Sequence, residues 1–215
     1  MEATPEGHPA RARLSNNLGN RLSNRYERTG NNQDLEAAIS RLTVEVDATP
    51  GDHPDHAELL NSLWNHWSSR YERTGNMHDL EAAIARSTAA VEATPEGHPA
   101  RPHRANNLGE YLSKRYIRIG NLQDLEAAIA LSTAAVDATP DDHPGRAGLW
   151  NSLGNRLGNR YHRAGNLPDL EAAISGSEEA VEATPEGHPD RALRLINLGK
   201  HFSYRYERTG NLQDL

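Results

Sequence analysis

Five histidines recur at one interval: His8, His53, His98, His143 and His188 each stand immediately before a proline, 45 residues from the next copy. Imidazole transfers protons near neutrality and ligates transition metals. A metal centre needs several ligands within ~2 Å of one ion, and a whole repeat is too long a step for that. His53 and His56 are close in sequence, but no further ligand accompanies them. The 215-residue chain has no cysteine, which excludes thiolate metal sites, disulfides and cysteine nucleophiles on it. No Ser/His/Asp constellation rises above the repeated background. The sequence predicts a non-enzymatic protein without metal or cofactor.

A second recurring set is made of amides and cations. Asn17, Asn20, Asn24 and Arg28 are three to four residues apart. At the same interval the chain holds Ser62, Asn65, Ser69 and Arg73; then Asn107, Glu110, Lys114 and Arg118; then Ser152, Asn155, Asn159 and Arg163; then Asn197, Lys200, Tyr204 and Arg208. On a helix turning ~100° per residue, these positions share a face about 80° wide. An amide offers one acceptor and two donors, so a row of amides holds the backbone of an extended peptide without reading its side chains. Arg and Lys add carboxylate contacts. The predicted peptide-binding residues are Asn17, Asn20, Asn24, Arg28, Ser62, Asn65, Arg73, Asn107, Lys114, Arg118, Asn155, Asn159, Arg163, Asn197 and Lys200. The expected partner is a protein or an extended, acidic peptide.

What positions these residues is a repeat. The heptapeptide ATPEGHP occurs at positions 3–9, 93–99 and 183–189, with ATPGDHP at 48–54 and ATPDDHP at 138–144 between them. DLEAAI starts at Asp34, Asp79, Asp124 and Asp169. A 90-residue echo overlies this: units one and three share Asn-Asn-Leu, units two and four Asn-Ser-Leu. Repeats are expected at 8–52, 53–97, 98–142, 143–187 and 188–215, the last one truncated, within a single repeat domain.

Each unit predicts two helices. Helix A runs from about Pro9 to Arg28, with Ser15, Leu18, Gly19, Leu22 and Tyr26 on its packing face, and Gly30 ends it as a left-handed cap. Pro102 predicts a late start or a kink in the third copy. Helix B starts with Asn31 as N-cap and Asp34 in the first turn. Its stripe is Leu35, Ala38, Ile39, Leu42 and Val46, and Thr49-Pro50 ends it. Small residues at the Leu42 and Glu45 positions of later copies (Ser87, Ser132, Ser177; Ala90, Ala135, Ala180) permit close helix approach. The Arg25 series is expected to pair with Asp34 or Glu36 or their equivalents, the Tyr26 series to be core, and Trp64, Trp67 and Trp150 to pack between repeats. The last A helix is expected to cap the fourth unit, with 211–215 fraying.

Short-linked helix pairs bury their apolar faces only by stacking, so the expected fold is all-α: a right-handed α-solenoid of about nine helices. With 36% hydrophobic and 5% aromatic residues, a thin core is expected rather than one deep globule. A net charge of −7 argues against general nucleic-acid binding. No apolar run approaches the ~18 residues of a membrane span, and the N-terminus lacks the apolar core of a signal peptide. A cytoplasmic location follows as an expectation.

Helix B resembles the second helix of a tetratricopeptide (TPR) repeat. Ala83, Ala90 and Pro95, and Ala128, Ala135 and Pro140, match that family's Ala, Ala and Pro positions. Ser at its large-residue position and a period of 45 rather than 34 depart from it. The longer form, LGxxLxxRYxRTGNLQDLEAAI with ATPxxHPxRA, is similar to the repeats beside CHAT domains and in STAND/NLR-type signalling proteins of fungi and actinomycetes. The resemblance implies a non-catalytic protein-binding scaffold whose A helices line the concave face. Two other readings are a self-associating repeat array, stacked through its ends, and a sensor fragment of a larger signalling protein.

Overall fold

The structure is a computed structural model and describes residues 11–214. His8, Pro9, the first ATPEGHP copy and Leu215 lie outside the described residues. The elements are α1 (Arg11–Thr29), α2 (Asn32–Ala48), α3 (His56–Thr74), α4 (Met77–Glu92), α5 (Arg101–Ile119), α6 (Leu122–Asp137), α7 (Arg146–Ala164), α8 (Leu167–Glu182), α9 (Arg191–Thr209) and a 3-10 helix, Leu212–Asp214. Odd-numbered helices are the A helices and even-numbered ones the B helices. No strand occurs among the described residues.

Helix ends follow local chemistry. Gly75, Gly165 and Gly210 adopt φ of 63°, 68° and 70°, and each N–H donates to the carbonyl of the tyrosine four residues back at 2.7 Å. The Asn31, Asn76 and Asn121 side chains accept from the N–H two residues on, at 3.1, 2.9 and 3.0 Å, and so open the B helices.

The A helices begin later than the sequence predicts. Pro54, Pro99, Pro144 and Pro189 lie in turns before the helix rather than in its first turn. The histidine ahead of each proline closes that turn: Nδ1 of His53, His98, His143 and His188 accepts the N–H two residues on, at 3.0–3.1 Å. The same shift removes the problem at Pro102. Helix α5 starts at Arg101, in register with α1, α7 and α9, so Pro102 sits where its missing N–H costs no helical bond.

The chain forms two compact units, residues up to Arg104 and residues from Ala105, divided inside α5. In the first, α1 packs on α2, α2 on α3, α3 on α4, and α1 lies beside α3. Its core joins Leu35, Ile39, Leu42 and Val46 of α2 to Leu59, Leu60 and Leu63 of α3, with Tyr26 and Trp67 against the edge. In the second, α6 packs on α7, α7 on α8, α8 on α9, and α7 touches α9. Its core joins Leu125, Ile129 and Val136 to Leu149, Leu153 and Leu157, with Tyr116 and Trp150 at the edge. Each buried aliphatic side chain contributes ~1.5–3 kcal/mol against full exposure.

Two details differ from the sequence reading. In α1 the face against α2 is Ala12, Ser15 and Gly19, all buried, whereas Leu18 and Leu22 are only half-buried. Residues 211–214 form an ordered start of a further B-type turn. Asn211 accepts from Gln213 N–H at 3.2 Å, and Arg205 grips the Asp214 carboxylate at 2.6–3.1 Å.

Candidate peptide-binding face

The A helices are oriented by a repeated arginine. Arg25 donates from Nε and Nη2 to Asp34 at 2.6 and 2.5 Å, Arg115 to Asp124 at 2.8 and 2.7 Å, and Arg160 to Asp169 at 3.0 and 2.8 Å. Arg70 reaches Asp79 from Nη2 at 2.8 Å. Each joins an A helix to its own B helix. The remaining nitrogen, Nη1, reaches back to the preceding B helix: Arg70 to Glu36 at 2.7 Å, Arg160 to Glu126 at 2.8 Å and Arg205 to Glu171 at 2.9 Å. One guanidinium therefore sets both the hairpin and its neighbour, and both expected partner types are used. The Arg25 hydrogen bonds hold the Asp34 carboxyl below its usual range.

With the Ala12/Ser15/Gly19 side turned to the B helix, positions 17, 20, 24 and 28 lie on the opposite side of the A helix. In the first unit Asn17, Asn20, Asn24, Arg28, Asn65 and Arg73 are exposed. The side-chain amides of Asn17, Asn20, Asn24 and Asn65 have no hydrogen bond among the described residues. Arg28 donates to the Asn24 carbonyl at 3.4 Å, and Arg73 to the Tyr26 hydroxyl at 3.2 Å. Ser62 is buried in the joint between α1 and α3, where its hydroxyl donates to Asn16.

In the second unit Arg118, Arg163 and Lys200 are exposed, while Asn107, Lys114, Asn155, Asn159 and Asn197 are half-buried. Lys114 pairs with Glu110 at 2.8 Å and lies over the Tyr111 ring at 4.7 Å. Asn197 donates to Asn151 at 2.9 Å across the α7–α9 joint. The row thus divides: its first position belongs to the seams between A helices at Ser62 and Asn197, and the remaining positions face solvent more openly.

Charge is segregated within the hairpins. Helix α7 carries four arginines and no acid, and α8 carries five acids and no base. Helix α1 carries five arginines against Glu27, and α6 three acids and no base. An otherwise acidic protein therefore presents its positive charge on the A helices.

Sequence reasoning missed a buried polar seam one residue beyond the Asn20 series. His66, Arg156 and His201 occupy it and are 1%, 4% and 1% exposed. His66 places Nδ1 2.6 Å from the Ser62 carbonyl and Nε2 3.1 Å from the Gly19 carbonyl. Arg156 donates to the Asn106 side chain at 2.7 Å, to its carbonyl at 2.9 Å, and to the Ser132 hydroxyl. Burial pushes its guanidinium down to about 10, against the opposing charge of Glu110. His201 contacts the Ser177 hydroxyl at 3.0 Å, and burial, with Lys200 adding repulsion, pushes its imidazole down to about 4. A second seam caps the preceding B helix. Nη1 of Arg101, Arg146 and Arg191 donates to the carbonyls of Val91, Val136 and Val181 at 2.7–2.8 Å, where a cation also meets the negative helix end. The available signal was a titratable residue recurring directly before a large apolar one, in His66-Trp67, Arg156-Leu157 and His201-Phe202.

No protein-family model matches the sequence, and no curated protein matches it. Solved structures do match over nearly the whole chain. YrrB, described as a TPR protein with an unusual peptide-binding site, superposes with a TM-score of 0.60 at 18% identity, over 93% of this chain and 80% of YrrB. The fold is TPR-like. A kinesin-light-chain-like protein of Podospora anserina, with nearly identical TPR-like repeats, gives 0.64 at 18% identity over 95% and 91%. A double mutant of MamA gives 0.57 at 16% identity over 96% and 100%. The chain is an all-α solenoid of TPR-like helical hairpins, and among the described residues no helix is long and apolar enough to cross a membrane.

Proposed function

We propose that this TPR-like chain is a non-catalytic scaffold that binds an extended, acidic peptide on the Asn/Arg-lined face of its A helices, the side turned away from the B helices and expected to be concave. The observation that carries the reading is the coincidence of free amides with cationic helices. Asn20, Asn24 and Asn65 present unused donors and acceptors beside Arg28 and Arg73, and Asn155 and Asn159 do so beside Arg163. The amides suit a peptide backbone, and the guanidinium groups suit carboxylates. The likeness to YrrB, a TPR protein with a peptide-binding site, supports this use of the fold. Ser62 and Asn197 help to join A helices and contribute to the face indirectly.

The test is the triple substitution Asn20→Ala, Asn65→Ala and Asn155→Ala, probed with an acidic peptide library on the intact chain. Affinity for the selected peptides should fall at least tenfold while helicity by circular dichroism is kept. Unchanged affinity would mean that the amide row plays no part. Binding should also weaken with added salt, since exposed charge pairs are screened.

A further inference from the structure

The back of α1 repeats a docking surface that is occupied elsewhere in the chain. In α3 the residues equivalent to Leu14 and Leu18 are Leu59 and Leu63, 1% and 0% exposed against α2. In α1, Leu14 is 50% exposed and Leu18 and Leu22 are half-buried. An open depression of about 720 Å³ lies there, lined by Leu18, Arg21, Leu22, Asn24, Arg25 and Arg28, with Glu27 at its edge. Arg25 is the telling residue. Arg70, Arg160 and Arg205 each spend Nη1 on a glutamate of the preceding B helix. Arg25 makes its two bonds to Asp34 through Nε and Nη2, and its Nη1 has no partner among the described residues.

The chain itself shows what fits such a surface. At every occupied copy the complement is a helix bearing a glutamate and, three residues later, an isoleucine: Glu36 and Ile39, Glu126 and Ile129, Glu171 and Ile174. The glutamate takes the free guanidinium nitrogen in all three, and in α3 and α7 the isoleucine packs in one cluster with the leucines, whereas α9 carries Arg194 at the first leucine position. We infer that the α1 face is a seat for an acidic amphipathic helix of this Glu-x-x-Ile type, presented by a partner polypeptide. Positive charge from Arg21, Arg25 and Arg28 favours an acidic helix over a neutral one. The seat is separate from the extended-peptide face, although the two share a rim at Asn24 and Arg28.

The probe is a capped, labelled peptide with the sequence of residues 167–182, titrated into the full chain by fluorescence anisotropy. A 16-residue helix is marginal alone, so an affinity of about 10–100 μM is expected, with saturation. Glu171→Gln in the peptide should weaken binding about tenfold, as loss of a charge-assisted hydrogen bond does. Arg25→Gln in the protein should cost a similar factor, and the two losses should not add. Leu18→Glu leaves the Arg25–Asp34 pair intact and should weaken binding more. The Asn20/Asn65/Asn155 triple variant should bind this peptide normally, which separates the seat from the amide face. Lack of saturation up to millimolar peptide, or binding indifferent to both Glu171→Gln and Leu18→Glu, overturns the inference.

Discussion

The two units fill one packing position with different chemistry. Where a B helix lies between its own A helix and the next, the first unit places Leu42, fully buried, against Gly19 of its own A helix, and His66 of the next A helix reaches the carbonyls of Ser62 and Gly19. A Cβ on Gly19 would lie 2.9 Å from the Leu42 side chain. In the second unit the same position is Ser132 or Ser177, and the volume is filled from the other side by Arg156 or His201. Glycine is kept on the A helix (Gly19, Gly109, Gly154), and a long polar side chain is kept at the His66 position; the change from Leu to Ser on the B helix turns an apolar contact into a hydrogen-bonded one.

The comparison breaks most sharply at Leu42. Leu42→Ala should cost about 3 kcal/mol by cavity formation, and hydrogen exchange should locate the loss in α1–α3 while α6–α9 stay protected. Next comes transplantation. Ser132→Leu should cost about 2 kcal/mol through overpacking and loss of the Arg156 hydrogen bond. Adding Arg156→His rebuilds the Leu42/His66 pairing in the second unit, and the double variant should recover most of that loss in urea denaturation. Failure of the rescue would show that the two solutions depend on more than these two side chains.

A third difference is the response to acid. His201 has a folded pKa of about 4, below its ordinary value of 6.5. The unfolded chain therefore binds the proton first between these values. The contribution is full above about pH 6.5 and is lost as pH falls towards 4. His201→Gln should flatten the stability profile of the second unit over that window, measured by exchange in α7–α9. The smallest effect concerns the shared element. Glu126→Gln removes only the link to Arg160, exposed on the glutamate side, leaves the Arg160–Asp169 pair intact, and should cost about 1 kcal/mol or less. A much larger loss would mean that the arginine, and not the core, holds the hairpins in register.

The histidine series shows where sequence reading stopped. Spacing was enough to argue against a shared metal ion. It was not enough to see that His53, His98, His143 and His188 each accept a backbone N–H two residues on, because that depends on turn geometry. The Arg25 series was legible in outline, since Asp34 and Glu36 were the acids within reach. That its three nitrogens divide between two B helices was not. In the amide row, Asn20, Asn24 and Asn65 stand out in solvent as helical periodicity implies, whereas Ser62 and Asn197 turn into joints between A helices. Angular position on a single helix cannot say how close its neighbour comes.

The sequence by itself determined the elements and their order. Periodic leucines, Asn caps, Gly stops and the unbroken interval of 45 act over a few residues, and such local terms are written in the chain. Only the tertiary structure decided which polar residues are buried. His66, Arg156 and His201 have the composition of surface residues, and they lie inside because a neighbouring helix supplies carbonyls or a serine at hydrogen-bond distance. Burial of a polar group is a property of the pair, and the pair exists only once the hairpins have stacked.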